Sequence, residues 1–245
     1  MTITAPPGAT PARTALRGVV GFLVVMELGS GMLQGWYPVL LAAIGSEFGV
    51  GAAQLNWVSA AYMLATVVCV PILAKLGDRY GHKRLLMISA ALVAVGSIVV
   101  AIAPNFGVFL LGRALQAPLA AFLPLEFAIV RNRDEKNAGR SIGKLVGALT
   151  FGAAIGALGS GLLFGAIGDL RAVLWMPAIF MIICVPVVAF LVPESTIRAT
   201  GRTDWLGASL LGVGLLAALG GISNAAAWGW TNPLTWLVIL SGVAL

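Results

Sequence analysis

Charge is scarce in this chain of 245 residues: 10% of positions are Asp, Glu, Lys or Arg, against roughly 25% in a soluble domain. Histidine occurs once, at His82, which excludes a His-based metal or catalytic centre. Two cysteines, Cys69 and Cys184, lie inside apolar stretches and supply neither a disulfide framework nor a thiolate metal site. Only nine acids are present, most of them between apolar runs, so an enzymatic acid–base site has little to draw on. What remains is apolar. Hydrophobic residues make up 60%, with 31 glycines, and the mean hydropathy is +1.00. The formal charge of +6 does not indicate a nucleic-acid partner, because the basic residues fall in short clusters between apolar runs instead of along one polar surface.

A helix needs about 20 apolar residues to cross a bilayer core, and such runs follow one another here. The spacing predicts an all-α integral membrane protein with spans at 19–44, 55–76, 85–103, 108–130, 145–167, 172–192 and 205–226. A further run starting at 233 reaches Leu245 too soon to span. The domain plan is a disordered cytoplasmic tail (1–18), a six-helix bundle (19–192), a cytoplasmic connection (193–204) and two further helices (205–245), the last incomplete. Alternate breaks carry 13 of the 15 basic residues, including Lys75, Arg79, Lys83 and Arg84 in the second break and Arg131, Arg140 and Lys144 in the fourth. By the positive-inside rule the N-terminus is cytoplasmic and the protein is a multi-pass protein of the cell membrane.

Ionisable groups inside a span cost about 2.5–3.5 kcal/mol on insertion scales, which marks Glu27, Arg113 and Glu126. Glu27, Ser30, Gly31 and Gln34 recur at helical spacing and share a face that lipid would reject. That face is expected to line a cavity, with Glu27 roughly 12 Å deep, either as a proton-coupling carboxyl or as a protonated group bonded to a neighbouring helix. Arg113 and Gln116 share a face of the fourth span, Arg113 being either a cavity cation or a structural one. In a straight helix Glu126 would lie roughly 220° around from Arg113, and it is read as structural or interfacial. Glycines crowd the fifth span, among them Gly152, Gly156, Gly159 and Gly161, a pattern that suits close helix packing or a hinge.

Residues 74–84, Ala-Lys-Leu-Gly-Asp-Arg-Tyr-Gly-His-Lys-Arg, resemble the loop between the second and third helices of major facilitator superfamily transporters, with Asp78, Arg79, Gly81, Lys83 and Arg84 matching and Ala74 replacing the opening Gly. Asn56-Trp57 with Tyr62, Arg113-Ala114-Leu115-Gln116 and the Gly-rich stretch around Gly156 to Gly161 resemble signatures of the fourteen-helix drug:proton antiporter branch, although Ala117, Ala157 and Ser160 depart from it. Pro193-Glu194-Ser195 and Asp204-Trp205-Leu206-Gly207 are similar to that branch's entry into two central helices. The resemblance implies an N-terminal six-helix half plus linker helices, alternating access, and proton-coupled efflux of amphipathic organic compounds. No cofactor beyond the proton gradient is implied. The implied partners are a small-molecule substrate, protons, the bilayer, and a C-terminal half or second chain. Leu33 stands where the branch carries a proton-coupling Asp, which makes Glu27 the candidate substitute. A non-transporting membrane fragment or assembly partner, and an importer of a small metabolite, are the alternative readings.

Overall fold

The computed structural model describes residues 9–133, 137–192 and 229–244, with 207, 210, 212–214, 217, 218, 220–222 and 225 between the last two segments. The connection at 193–204 lies outside the described residues, as does part of the run expected at 205–226. Six helices are long and apolar enough to cross a membrane, and all regular structure among the described residues is helical. They are α1 (Ala9–Phe48), α2 (Ala52–Tyr80), α3 (His82–Ala101), the pair α4 (Phe106–Leu115) and α5 (Phe122–Arg133), α6 (Ala138–Ile167) and α7 (Leu170–Leu191); a shorter α8 is Pro233–Ala244. Residues 9–18, read from the sequence as disordered tail, continue α1; Ala, Arg and Leu there favour helix, and Pro11 falls in the first turn, where a missing N–H breaks no intrahelical bond.

The helix ends follow local chemistry. Gln54 Oε1 accepts from Gly51 N–H at 3.1 Å at the start of α2, and Asn105 and Asp169 cap α4 and α7 by accepting from Val108 N–H (3.0 Å) and Arg171 N–H (2.9 Å). Four junction glycines among the described residues lie at positive φ, among them Gly81 at φ +104°, which turns α2 directly into α3, and Gly168 at φ +73° after α6.

The fourth span is not one helix. A 3-10 segment, Ala117–Ala121, joins α4 to α5. Pro118 has no N–H to continue the α ladder, and Leu119 N–H instead reaches Gln116 O at 3.0 Å. Residues in a 3-10 turn advance about 120° each, against about 100° in an α-helix. Five such residues add roughly 100° to the straight-helix angle and bring Glu126 to within about 40° of the face of Arg113, though about 22 Å further along.

α1 packs along its length on α6, and α3 packs on α7 and α4. At the first interface the backbones meet through glycine. A Cβ on Gly152 or Gly156 would lie 2.1 Å from the carbonyl oxygens of Leu28 or Met32, and one on Gly31 or Gly35 would lie 2.0 or 2.1 Å from those of Leu149 or Ala153. Gly159 and Gly161 face Trp36 and Val39 at 3.9 and 3.1 Å, so they are less tightly engaged. Along the following stretch Gly212 faces Val68 of α2, and Gly242 of α8 sits against Gly214 and Ala218.

Two polar clasps close the ends of the bundle. At one end Arg171 Nε donates to Glu47 (3.0 Å) and Nη2 to Ala103 O (3.3 Å), beside the ring cluster Phe48, Phe106 and Phe109. At the end that carries the basic breaks, Lys83 Nζ donates to Ala189 O of the last turn of α7 at 2.7 Å, where a cation meets the partial negative charge of a helix C-terminus.

Candidate functional site

Three polar groups are stacked inside the bundle. Nearest the Arg171 end, Arg113 is 5% exposed and its Nε donates to Val58 O at 3.2 Å. Its Nη1 donates to Gln116, whose amide in turn donates to Tyr37 (2.8 Å) and Ser97 (2.9 Å). The guanidinium lies 3.7 Å from the centre of the Tyr37 ring and 5.0 Å from that of Tyr62, contacts in which aromatic faces stabilise a desolvated cation. The ion pairs among the described residues do not involve Arg113: its charge is held by neutral oxygens and aromatic rings.

Tyr62 of α2 comes next. Its ring faces Arg113, and it is also within electrostatic range of Glu27. Its hydroxyl is buried without a hydrogen-bond partner.

The third level is acidic. Glu27 of α1 and Glu126 of α5 are fully buried, and their carboxyl groups face each other at interaction range. None of the four oxygens meets a donor. Ser30 lies one turn along α1 beside Glu27, and Cys184 of α7 is within electrostatic range of Glu126. Gln34, the outer member of the α1 polar stripe, is exposed, with its amide 3.5 Å from Ser30 Oγ. The stripe therefore divides: Glu27 and Ser30 point inward, Gly31 meets α6, and Gln34 lies at the rim. No cluster of three or more potential metal ligands exists among the described residues.

Sequence reading singled out Glu27 and Arg113 and brought neither Glu126 nor Tyr37 into the site. The sequence signal for Glu126 is Pro118, which changes the phase of the helix that follows it; Tyr37 carries no signal beyond being an aromatic residue on the first span. Glu126 is no interfacial anchor: it is 0% exposed. Leu33 faces away from the acids, in a narrow apolar crevice between α1 and α7 with Met32, Trp36, Met176, Pro177 and Phe180.

In the turn between α2 and α3, His82 Nε2 lies 3.1 Å from Asp78 Oδ1, and Arg79 stacks 5.3 Å from the Tyr80 ring. Gly81 is buried and Arg84 exposed. A side chain on Gly77 would meet Leu125 at 2.6 Å, so this turn is packed against the residue before Glu126.

The sequence profile of the Major Facilitator Superfamily matches residues 23–245. An uncharacterized MFS-type transporter of Bacillus subtilis is 29% identical over 211 residues, covering 83% of this chain and 38% of its own. A triacylglyceride transporter of Mycobacterium tuberculosis is 29% identical over 178 residues, 70% of this chain and 34% of its own. The crystal structure of the human organic anion transporter MFSD10 (TETRAN) matches with a TM-score of 0.62 at 18% identity, over 85% of this chain and 56% of that one; at that identity the likeness is one of fold. The chain thus spans less than half the length of these curated relatives. A profile match over nearly the whole chain, on a bundle of six apolar helices of the same fold, places this protein in the Major Facilitator Superfamily of membrane transporters.

Proposed function

We propose that this chain is the N-terminal portion of a proton-coupled exporter of amphipathic or apolar organic compounds in the cell membrane, working by alternating access with its N-terminus in the cytoplasm. The reading rests on one observation above all: Glu27 is fully buried in a membrane bundle with no cation and no hydrogen-bond donor at its oxygens. Such a carboxyl is stable there when protonated and strongly disfavoured when charged. Gain and loss of its proton therefore bias a two-state bundle, which is what coupling transport to a gradient requires. The proton gradient is the energy source and no cofactor takes part.

In this reading the chain divides into 1–18, 19–192, 193–204 and 205–245, with residues 9–18 a helical extension of the first span. Apolar cargo agrees with the printed activity of the triacylglyceride relatives. A partner half or second chain agrees with the large apolar side chains left exposed on α2 and α6, among them Trp57, Met63, Phe151, Leu158 and Leu162. Those same faces support the second reading, in which the chain is an assembly partner that does not itself transport.

The test is a proton-flux assay. Everted membrane vesicles carrying the gene product, energised to an acidic interior, should release protons when an amphipathic compound is added. Glu27→Gln should abolish that release while the protein still reaches the membrane. Unchanged release by Glu27→Gln removes Glu27 from coupling, and no release by the native protein across a panel of amphipathic compounds favours the assembly reading.

A further inference from the structure

Glu27 does not stand alone, and the proton it holds is shared. Resting on the proton-coupling reading above, we infer that Glu27 and Glu126 form one proton site, in which a proton on either carboxyl is hydrogen-bonded to the other across the α1–α5 contact.

The chemistry follows from what surrounds the pair. Both side chains are fully buried, and none of their four oxygens has a hydrogen-bond partner. Two ionised carboxylates facing each other without a cation would combine desolvation with mutual repulsion. Arg113 does not relieve this, because it lies about 22 Å away along its span from Glu126 and is occupied by Val58 O and Gln116. Ser30 on α1 lies beside the acids, and Tyr62 on α2 and Cys184 on α7 are within electrostatic range of them; none of the three is cationic. A metal ion is a poor occupant, since the two carboxyls are not joined by a third acidic, His or Cys ligand and hard cations take six or more oxygens. A proton needs only the two. Placed on one oxygen it becomes the donor that the opposite carboxyl lacks, and the step is simple: an O–H bond forms on one carboxyl as a proton arrives, and a hydrogen bond O–H···O closes to the other.

The site also has a mechanical connection. Glu126 follows Leu125, which packs on Gly77 next to the Asp78 turn, and it lies beyond the 3-10 break set by Pro118. Loss of the shared proton would push α1 and α5 apart at one point, adjacent to the turn that joins α2 to α3.

Isotope-edited infrared spectroscopy of the full chain in lipid bilayers tests this, with glutamate carboxyls labelled and no substrate needed. The native protein should show a protonated-carboxyl band at neutral pH. Glu126→Gln and Glu27→Gln should each shift that band, because each changes the hydrogen-bond partner of the remaining acid, and the double variant should lose it. Glu126→Asp, which keeps the charge but shortens the reach, should also shift it. A band unmoved by Glu126→Gln in a protein whose helix content is native overturns the shared site and leaves Glu27 acting alone. Absence of any protonated-carboxyl band in the native protein overturns both the shared site and the coupling reading. A band position that depends on sodium concentration at fixed pH replaces the proton by a metal cation and likewise overturns the inference.

Discussion

Replacing Gly156 by alanine adds one methyl group at the close seam between α1 and α6. Its Cβ would sit 2.1 Å from the carbonyl oxygen of Met32 and 2.7 Å from that residue's carbonyl carbon, both of them backbone atoms with no rotamer to give. Ordinary contact begins near 3.4 Å, so α1 and α6 must separate locally by about 1.3 Å. Neighbouring close approaches at Gly31, Gly35 and Gly152 are spread along the same seam, and a separation at one loosens the others. Overpacking of this kind costs up to about 3 kcal/mol, while alanine recovers about 1 kcal/mol of helix propensity. The net expected loss is about 2 kcal/mol, roughly a 30-fold fall in the folded-to-unfolded ratio. Cys184 is buried and Cys69 only half-buried, so in a Cys69→Ala background the reaction of Cys184 with a thiol dye during a denaturing-detergent titration reports unfolding. Gly147→Ala and Gly165→Ala, at positions with nothing within 4 Å, should be neutral or slightly stabilising in the same titration. If Gly156→Ala unfolds at the same detergent fraction as those controls, backbone proximity does not hold α1 to α6 and the packing account is wrong.

Gly81→Ala places a Cβ on a residue at φ +104°, ψ 132°, a conformation that costs a non-glycine residue about 1–3 kcal/mol; the same titration should show it, and an unchanged midpoint would mean that the turn relaxes freely. Arg113→Lys keeps the charge but cannot reproduce both the Nε bond to Val58 O and the Nη1 bond to Gln116. It should destabilise by about 2 kcal/mol, the scale of one lost charge-assisted bond, with Tyr37→Phe losing less because Gln116 keeps Ser97 as acceptor. Equal stability of Arg113→Lys and the native chain would refute the specific role of the guanidinium fork.

Much of the bundle could be read directly. The six spans fall where apolar runs of sufficient length fall, because a bilayer imposes its thickness on any helix that crosses it. The observed helices extend several residues beyond most predicted ends: α2 and α6 begin at Ala52 and Ala138, where runs were expected at 55 and 145. Polar ends of a helix add no hydropathy. The buried polar positions on α1 were visible for the same kind of reason, since an acid amid oily residues is costly enough to stand out. The turn at Gly81 was legible too, because glycine is the residue that tolerates its backbone.

The pairing of those positions was not legible. Hydropathy fixes how far along its helix Glu27 lies, but the partner it faces depends on rotation about the axis of another span, and that rotation changed by roughly 100° at the 3-10 segment following Gln116. The sequence alone thus determined a six-span membrane bundle with costly charges at known depths. Only the tertiary structure decided that two of those charges meet, that Arg113 instead settles among Tyr37, Gln116 and Val58 O, and that α1 lies against α6 closely enough to need glycine on both sides. Depth is set by the transfer of each residue from water to lipid, one helix at a time; contact is set by helix phase and backbone separation, which belong to pairs of helices.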